Sequence, residues 1–261
     1  MDVVAIDWSG AVHGAADHIW LAHVRDGALI DLRNGRTRSE VVEDLIALRQ
    51  QCPGGLVIGL DFSFSFPIWF MQERGYAAPR DLWAAARHEG EGWLAACAPP
   101  FWGRPGKPRP DVPEHFRRAE LMATVGGIRA KSVFQIGGAG SVGTGSLRGM
   151  PFLADLSGAG FGIWPFDPPT KSTVVEIYPR LLTGPVNKAS RQQRERYLAQ
   201  SRWSITPSFA ASIVGSDDAF DAAISALVMN EHGTDLRSLG PTTDPVMLLE
   251  GDVWRPPTIP P

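Results

Sequence analysis

The chain has 261 residues, of which 44% are hydrophobic and 20% are charged, and its formal net charge is −3 at pH 7. This composition is typical of a globular protein with a sizeable apolar core, and it excludes intrinsic disorder and fibrous repeats. The slightly acidic balance argues against a strongly basic nucleic-acid coat or a polybasic membrane anchor, so any contact with nucleic acid must be local.

The cysteines and the apolar runs predict the cellular compartment of the protein. Cys52 and Cys97 are far apart and form no CxxC motif, so we expect neither a disulfide framework nor a thiolate zinc site. The first ten residues include two aspartates and no basic segment, which does not predict a signal peptide. The apolar runs 54–71 and 132–147 are interrupted by charge, proline or glycine and do not fit a membrane span. We therefore expect a cytoplasmic protein without membrane contact, and the sequence does not predict its oligomeric state.

The first sixty residues predict four strands and one helix, because short apolar runs alternate with turn and capping signals. Asp26-Gly27 suits the tight turn of a hairpin, and Thr37 and Glu40 have the spacing of a helix capping box. A crossover helix between two buried strands can return the later strand beside the first. The predicted elements are the strands Val3–Ile6, His18–Val24, Ala28–Leu32 and Leu56–Leu60 and a helix from Thr37 to Cys52.

The rest of the chain predicts an insertion, further strands and a strong final helix. Residues 64–130 have a looser pattern, and we interpret them as an insertion within a single domain that spans residues 1–261. Ser216 is a natural cap for the last helix, and the proline-rich tail from Pro241 predicts an irregular edge. The other predicted elements are helices near Arg80–Ala96, Glu114–Ala123, Leu147–Leu156, Ala189–Gln200 and Asp217–Glu231 and the strands Ser132–Ile136 and Thr173–Tyr178.

Five acidic residues occupy positions that this α/β arrangement could bring together. Asp7 and Asp61 each follow a buried strand, at the edge where open α/β sheets bind their ligands. Asp218 and Asp221 are three residues apart and therefore lie on one face of the last helix. Glu176 belongs to a strand with aliphatic neighbours, and a half-buried acid of this kind needs a partner.

The combination of these acids predicts a metal site. Carboxylates without matching lysines repel one another unless hard cations lie between them, and all-oxygen ligands suit Mg²⁺ or Mn²⁺. Two such ions about 4 Å apart can activate a water and stabilise the leaving oxygen of a phosphodiester. Each acid alone also has a structural interpretation: Asp7 or Asp61 as a turn former, Asp218 as a favoured first-turn residue, and Glu176 as the partner of an arginine such as Arg180.

The order of the acids resembles the ribonuclease H superfamily, whose members place one Asp on the first strand, an acid on the fourth and one or two on a late helix. Residues 218–223 resemble the Asp-x-x-Asp helix of the Holliday-junction resolvase branch. Nearly the whole chain also resembles a bacterial family of predicted nucleases of that fold, domain of unknown function 429. The matching stretches are Ile6–Gly10, Leu60–Ser63, Lys131–Gly143, Trp164–Phe166, Glu176–Pro179 and the Asp-rich last helix.

This resemblance implies a ribonuclease H-like mixed sheet of five strands in the order 3-2-1-4-5, with strand two antiparallel, helices on its flanks and the insertion after strand four. It implies a divalent-metal-dependent nuclease in which Asp7 bridges the ions. Its other site residues would be Asp61, Asp218 and Asp221, which complete the metal shell, and Glu176 as a further catalytic residue. Ribonuclease H itself has a catalytic Glu on the helix after strand three. The candidates for that position here are Glu40, Glu43 and Asp44, and no pattern selects one of them.

Two other functions remain open. Gly138–Gly143 matches the G-x-G-x-x-G pattern between a predicted strand and a predicted helix, which alone would indicate a dinucleotide site. It lies in mid-chain after an antiparallel hairpin, so we rank this alternative second. The chain could also be a nucleic-acid-binding module without catalytic turnover.

Two basic stretches could contact nucleic acid. Residues 103–131 carry seven basic and three acidic residues and follow Phe101 and Trp102, a combination that could hold phosphates and stack bases. Residues 188–202 carry five basic residues and one acidic residue. Such clusters are more often solvated surface than a binding groove. The expected partner is RNA or DNA, including structured forms, and the sequence does not select among them.

Overall fold

The structure, a computed structural model, describes residues 1–138, 140–168 and 170–257. These residues form eight strands. Their bounds are β1 (Asp2–Asp7), β2 (Trp20–Arg25), β3 (Ala28–Arg33), β4 (Leu56–Leu60), β5 (Thr124–Val125), β6 (Ile128–Arg129), β7 (Gly162–Ile163) and β8 (Ser172–Glu176). Six strands make one mixed sheet in the order β3-β2-β1-β4-β8-β7, and β5 pairs with β6 in a separate hairpin.

The strand pairing confirms a mixed α/β sheet and corrects the strand count. β2 is antiparallel to both β1 and β3, whereas β1, β4, β8 and β7 are mutually parallel. The order β3-β2-β1-β4-β8 reproduces the predicted order 3-2-1-4-5. The prediction of five strands was wrong, because the two-residue strand β7 adds a sixth at the edge beyond β8. A ribonuclease H-like fold stays a prediction.

Twelve helices lie in the described residues, and the longer ones cover the two faces of the sheet. No helix in the described ranges is both long and apolar enough to cross a membrane. The helices are α1 (Ala15–His18), α2 (Arg38–Gln51), α3 (Ile68–Glu73), α4 (Pro79–Ala96), α5 (Arg118–Met122), α6 (Gly143–Gly158), α7 (Pro179–Thr183), α8 (Arg191–Gln200), α9 (Pro207–Gly215), α10 (Asp217–Glu231), α11 (Gly233–Arg237) and α12 (Pro245–Glu250).

The central strand β1 is apolar on both faces because each face has its own helical layer. Val4 and Ile6 belong to the core that also includes apolar residues of α2, α4 and α6. Val3 and Ala5, which alternate with them, belong to the core formed with α10. Residues 64–130 share the first of these cores, since Trp83 of α4 is buried in it.

Two segments differ from the sequence predictions. Ser132–Ile136 is a turn with one isolated bridge between Gln135 and Trp102. Its Ser132 hydroxyl accepts the Phe134 N–H and donates to the His115 carbonyl, so local side-chain bonding competes with a strand ladder. The tail is not wholly irregular either, because Asp244 caps the short helix α12 by accepting backbone N–H groups at its start.

The helix predictions with capping signals agree with the structure. Thr37 and Glu40 form the expected capping box at the start of α2. Ser216 accepts the Ala219 N–H and caps α10, which has the predicted bounds Asp217–Glu231. The predicted helix at Leu147–Leu156 is longer, since α6 begins at Gly143. These local signals therefore place α10, the helix that carries two of the candidate acids.

Gly59 of β4 allows α10 to pack closely against the sheet. A Cβ atom at this position would lie 2.6 Å from Met229 Sδ and 2.9 Å from Ile177 Cγ2. Such approaches are too short for a side chain, so α10 can lie this near only because residue 59 has none.

We expect Gly59→Ala to lower the free energy of unfolding by about 1–3 kcal/mol, because the added methyl overpacks the contact between β4 and α10. Urea denaturation measures the change. Gly54→Ala is the matched control, since a Cβ there meets no atom within 4 Å. Equal stability of the two variants would contradict this packing constraint.

Candidate carboxylate and lysine site

Two strands place the first two aspartates at one edge of the sheet. Asp7 is the last residue of β1, and Asp61 directly follows β4. The Asp61 N–H donates to the Ile6 carbonyl oxygen at 3.1 Å, which continues the parallel ladder between the strands. Both carboxyl groups therefore emerge at the carboxyl edge of the parallel strands, as predicted, and lie close enough for the charge of Asp61 to act on Asp7.

The helix α10 brings the next two acids to the same edge. Asp221 lies in its second turn and is 3% exposed. Asp218 lies one turn earlier, is more exposed, and its Oδ2 is 3.2 Å from His18 Nδ1. The charge of Asp221 acts on both Asp7 and Asp61, and that of Asp218 acts on Asp7 and Asp221. The structure thus brings these four predicted residues into one electrostatic cluster.

Lys188 corrects the expectation that the acids lack a matching lysine. It lies between α7 and α8, and its ammonium donates a hydrogen bond to Asp221 Oδ2. Its side chain is 41% exposed, whereas that of Asp221 is 5% exposed. Asp221 Oδ1 is buried and has no hydrogen-bond partner among the described residues. One lysine therefore balances part of the negative charge of the cluster and leaves a carboxylate oxygen unbonded.

Burial and, after it, mutual repulsion shift the pKa values of the acids upward. Burial, followed by the charges of Asp221 and Asp61, raises the pKa of Asp7 well above its usual value. Burial and the charge of Asp221 raise the pKa of Asp61 to about 7. Burial raises the pKa of Asp221 to about 6 against the opposing effect of Lys188. Burial lowers the pKa of Lys188, but the surrounding carboxylates outweigh it and the net shift is upward.

Glu176 ends β8 beside Asp61 but has different partners. Arg117, which is 0% exposed, donates to both of its carboxylate oxygens, and the Phe64 N–H donates to Oε2 at 2.9 Å. The same guanidinium bonds Glu120 Oε1 at 2.9 Å and the Ser63 hydroxyl at 3.0 Å. The carboxylate of Glu176 is therefore held by a buried ion pair and a backbone N–H, and not by the other acids.

The arginine that pairs with Glu176 is not the one suggested by sequence proximity. Arg180 instead donates to the Val186 carbonyl at 2.7 Å. Arg117 is 59 positions away from Glu176 in the chain, so spacing alone could not identify it. The available signal was chemical: a buried strand carboxylate requires a cation, and Arg117 is one of the seven basic residues in 103–131.

The acids of α2 and the second basic stretch also have structural partners. Glu40 accepts hydrogen bonds from Thr37, and Asp44 pairs with Arg33 and Arg36. Glu43 is exposed on the helix surface. In the stretch 188–202, Arg194 is buried on the carbonyl oxygens of Lys188 and Val214. Ion pairs within the described residues also engage Arg191 and Arg202.

A cavity of about 570 Å³ opens beside the acid cluster, and its lining includes both acidic and basic side chains. Asp61, Asp221 and the Lys188 that pairs with Asp221 belong to this lining. Lys131 and Arg180 contribute positive charge elsewhere in the lining, and neither has a carboxylate partner among the described ion pairs. The remaining lining includes Trp8, Gly10, Ala11, Gly140, Ser141, Val142, Thr144, Gly145, Tyr178, Pro179 and Thr183. The pocket has the size and polarity of a small-ligand or nucleotide site.

The glycine-rich loop borders this pocket but lacks the expected dinucleotide context. The segment before it, Ser132–Ile136, is not a strand of the sheet. The Gly143 N–H at the start of α6 donates to the Gln135 carbonyl at 3.0 Å and is not free for a ligand. Ala139, within the predicted motif Gly138–Gly143, lies outside the described residues. The dinucleotide interpretation therefore loses the strand and a backbone donor on which it depended.

The oxygen atoms of the acid cluster suit a divalent cation, although Lys188 is paired with Asp221 in this structure. In the described ranges, no three Asp, Glu, His or Cys side chains already converge in a geometry that could hold a metal ion. Asp7, Asp61 and Asp221 nevertheless provide only oxygen ligands, and one Asp221 oxygen is unbonded. Burial and mutual repulsion raise their pKa values, and a bound cation would favour the ionised forms. These properties match Mg²⁺ or Mn²⁺.

Comparisons with known proteins identify no relative. The chain matches no protein-family model, and searches of curated proteins and of solved structures find no match either. The resemblance to the nuclease family remains a prediction.

The acid cluster predicts a pH dependence of stability in the presence of a chelator. Because the folded pKa of Asp61 is raised to about 7, the folded state binds more protons than the unfolded chain between about pH 4 and 7. This group therefore stabilises the fold below about pH 4, and the contribution is lost as pH rises through 7.

Urea denaturation at pH 5 and pH 7.5 in EDTA tests this effect. Asp61→Asn should reduce the loss of unfolding free energy between the two pH values by about 2–3 kcal/mol relative to wild type. Asp26→Asn, in the hairpin at the opposite edge of the sheet, is the control and should leave the loss unchanged. An unchanged loss in Asp61→Asn would contradict the raised pKa.

We also expect Glu176→Gln to lower the free energy of unfolding by about 2–4 kcal/mol, because it removes one charge partner of the buried Arg117. Chemical denaturation measures this loss. Glu195→Gln, which breaks an exposed ion pair with Arg191, should cost no more than about 0.5 kcal/mol. Similar small effects for both variants would show that Arg117 does not depend on Glu176.

Proposed function

We propose that the protein is a divalent-metal-dependent nuclease that hydrolyses phosphodiester bonds of RNA or DNA. The observation that supports this proposal is the meeting of Asp7, Asp61 and Asp221, from three separate elements, beside a pocket with unpaired basic residues in its lining. A hydrolase for phosphodiesters needs both features, since it must hold cations and attract phosphates at the same place.

The aspartates beside the pocket would hold Mg²⁺ or Mn²⁺. Asp7, Asp61 and Asp221 are the proposed ligands, and Asp218 is a further acid one turn away on α10. A bound cation would supply a more acidic water and stabilise the charge that develops on a leaving oxygen. Lys188 would have to leave Asp221 to make room, and its half-exposed side chain has solvent on one side to move into. Its ammonium would then be available to a phosphate oxygen.

The basic residues in the pocket lining would orient the substrate. Lys131 and Arg180 provide the positive charge in the lining. Charged donors of this kind form strong hydrogen bonds with phosphate oxygens. The pocket would therefore bring a phosphodiester into contact with both the cation-binding carboxylates and these positive charges.

Glu176 is assigned a positioning role in this proposal instead of a place among the metal ligands. Its carboxylate joins Arg117 to the Phe64 N–H, three residues after Asp61. It therefore orders the chain that leaves β4 and so the backbone that carries Asp61. Both of its oxygens bond the buried Arg117, which favours this structural role over metal binding.

A second candidate function is supported by Lys188. Its ion pair with Asp221 gives the acid cluster a charge partner without any metal. A chain that uses this pair permanently would bind nucleic acid without cleaving it. The two functions differ in whether Mn²⁺ displaces the lysine. In both, the predicted location remains the cytoplasm.

We expect Asp7→Asn to slow Mn²⁺-dependent cleavage of labelled oligonucleotides by at least about 100-fold, because the variant loses a ligand at the centre of the cluster. The fold should persist, since removal of one buried negative charge relieves repulsion among the acids. Gel analysis of single-stranded, duplex and branched substrates measures the rate, and circular dichroism measures the fold.

Asp26→Asn serves as the matched control and should cleave like the wild type. Cleavage by Asp7→Asn at the wild-type rate would refute the proposed site. Absence of cleavage by the wild type in Mn²⁺, together with oligonucleotide binding in EDTA, would favour the binding module instead.

A further inference from the structure

Two arginines outside the pocket share one aromatic ring. The guanidinium carbon of Arg109 lies 5.4 Å from the centroid of the Phe116 ring, and that of Arg129 lies 5.7 Å from the same centroid. Arg109 also lies 5.7 Å from the Trp102 ring. Stacking on these rings attracts each cation and restricts its side chain, so two like charges are held near each other at the surface. We call Arg109 and Arg129, which share the Phe116 ring, the guanidinium pair.

The guanidinium pair lacks an anionic partner within the described ranges. Neither Arg109 nor Arg129 takes part in an ion pair or donates a side-chain hydrogen bond there, and both are exposed. The nearby Glu114 instead accepts the N–H groups of His115 and Phe116 with one oxygen. In contrast, Arg117 is buried and Arg118 pairs with Asp244. Two ordered guanidinium groups with free donors form a complementary site for phosphate oxygens.

The guanidinium pair is joined to the pocket by the chain itself. Arg129 ends β6, and Lys131, two residues later, lines the pocket. Ala130 between them is buried and donates to the Ala123 carbonyl, so this part of the chain extends the hairpin with alternating side chains. Arg129 and Lys131 are thus exposed on one side, about 7 Å apart along the chain.

A second connection holds the loop of Arg109 against the glycine-rich loop. The Ile136 N–H donates to the Trp102 carbonyl at 2.9 Å, and the Trp102 N–H donates to the Phe134 carbonyl at 3.1 Å. Gly103 approaches Gly137 so closely that neither has room for a Cβ atom. The pair and the pocket lining are therefore parts of one packed surface, with Lys131 at their junction.

We propose that the guanidinium pair binds the phosphate backbone of a single-stranded nucleic acid and leads it past Lys131 into the pocket. The proposal rests on the proposed nuclease function for the direction of the strand. A single strand fits because its phosphates are spaced closely enough to contact Arg129 and Lys131 in turn, and its unstacked bases can stack on guanidinium planes. Phe101, by contrast, is 4% exposed and is unable to stack a base.

Fluorescence anisotropy with a labelled oligothymidylate or oligouridylate of about 20 nucleotides, in EDTA, tests the proposal. The chelator prevents metal-dependent cleavage, so binding is measured independently of nuclease activity. We expect Arg109→Ala/Arg129→Ala to raise Kd at least about tenfold and to reduce the slope of log K against log salt concentration by about 1.4, or about 0.7 for each lost phosphate contact.

Lys171→Ala/Arg237→Ala is the matched control, because it also removes two positive charges, from the cavity at the opposite edge of the sheet. This control should bind with the wild-type Kd and slope. Equal losses in both double variants, an unchanged Kd in Arg109→Ala/Arg129→Ala, or tighter binding of duplex than of single strand would overturn the proposal. Binding that depends on the pair in a protein that does not cleave with Mn²⁺ would support the pair and refute only the nuclease function.

Discussion

The burial of several carboxylates at one end of the sheet is the constraint that governs the rest of this structure. Parallel pairing of β1 and β4 and the close approach of α10 bring Asp7, Asp61 and Asp221 together, whatever charge compensates them. Such a cluster is unfavourable unless protons or cations accompany it. Lys188, the raised pKa values and the unbonded oxygen of Asp221 are three consequences of this one arrangement.

A second group of buried charges, centred on Arg117, lies beside the aspartate cluster but has different bonding. Arg117 is enclosed by Glu176 and Glu120, and it also donates to the Ser63 hydroxyl and the Glu250 carbonyl. Its donors therefore join the segment after β4, the end of β8 and the tail of the chain. The two clusters have opposite characters: one is saturated and fixes the backbone, whereas the other retains free bonding capacity and opens into a pocket.

The elements with local signals were predictable from the sequence. The strand pattern gave the mixed sheet and the edge that carries Asp7 and Asp61, and the cap at Ser216 located α10. The edge strand β7 was missed because two residues contain too little pattern to indicate a strand. Ser132–Ile136 was misassigned because its apolar residues are buried in a turn, and burial alone does not distinguish a turn from a strand.

The long-range partners of the acids could not be predicted from the sequence. Lys188 and Arg117 lie far along the chain from the acids they contact, and their basic neighbours have the same composition but other roles. Only the fold separates Arg194, which is buried on carbonyl oxygens, from Arg109, which is stacked at the surface. The number of basic residues in a segment therefore says little about how many are available to a partner.

The position of Lys188 also affects how the protein can mature. Because an ammonium group on the same chain already neutralises Asp221, the polypeptide needs no external ion to supply this charge while it folds. In the proposed nuclease, the metal would be taken up after folding, in exchange for this internal cation.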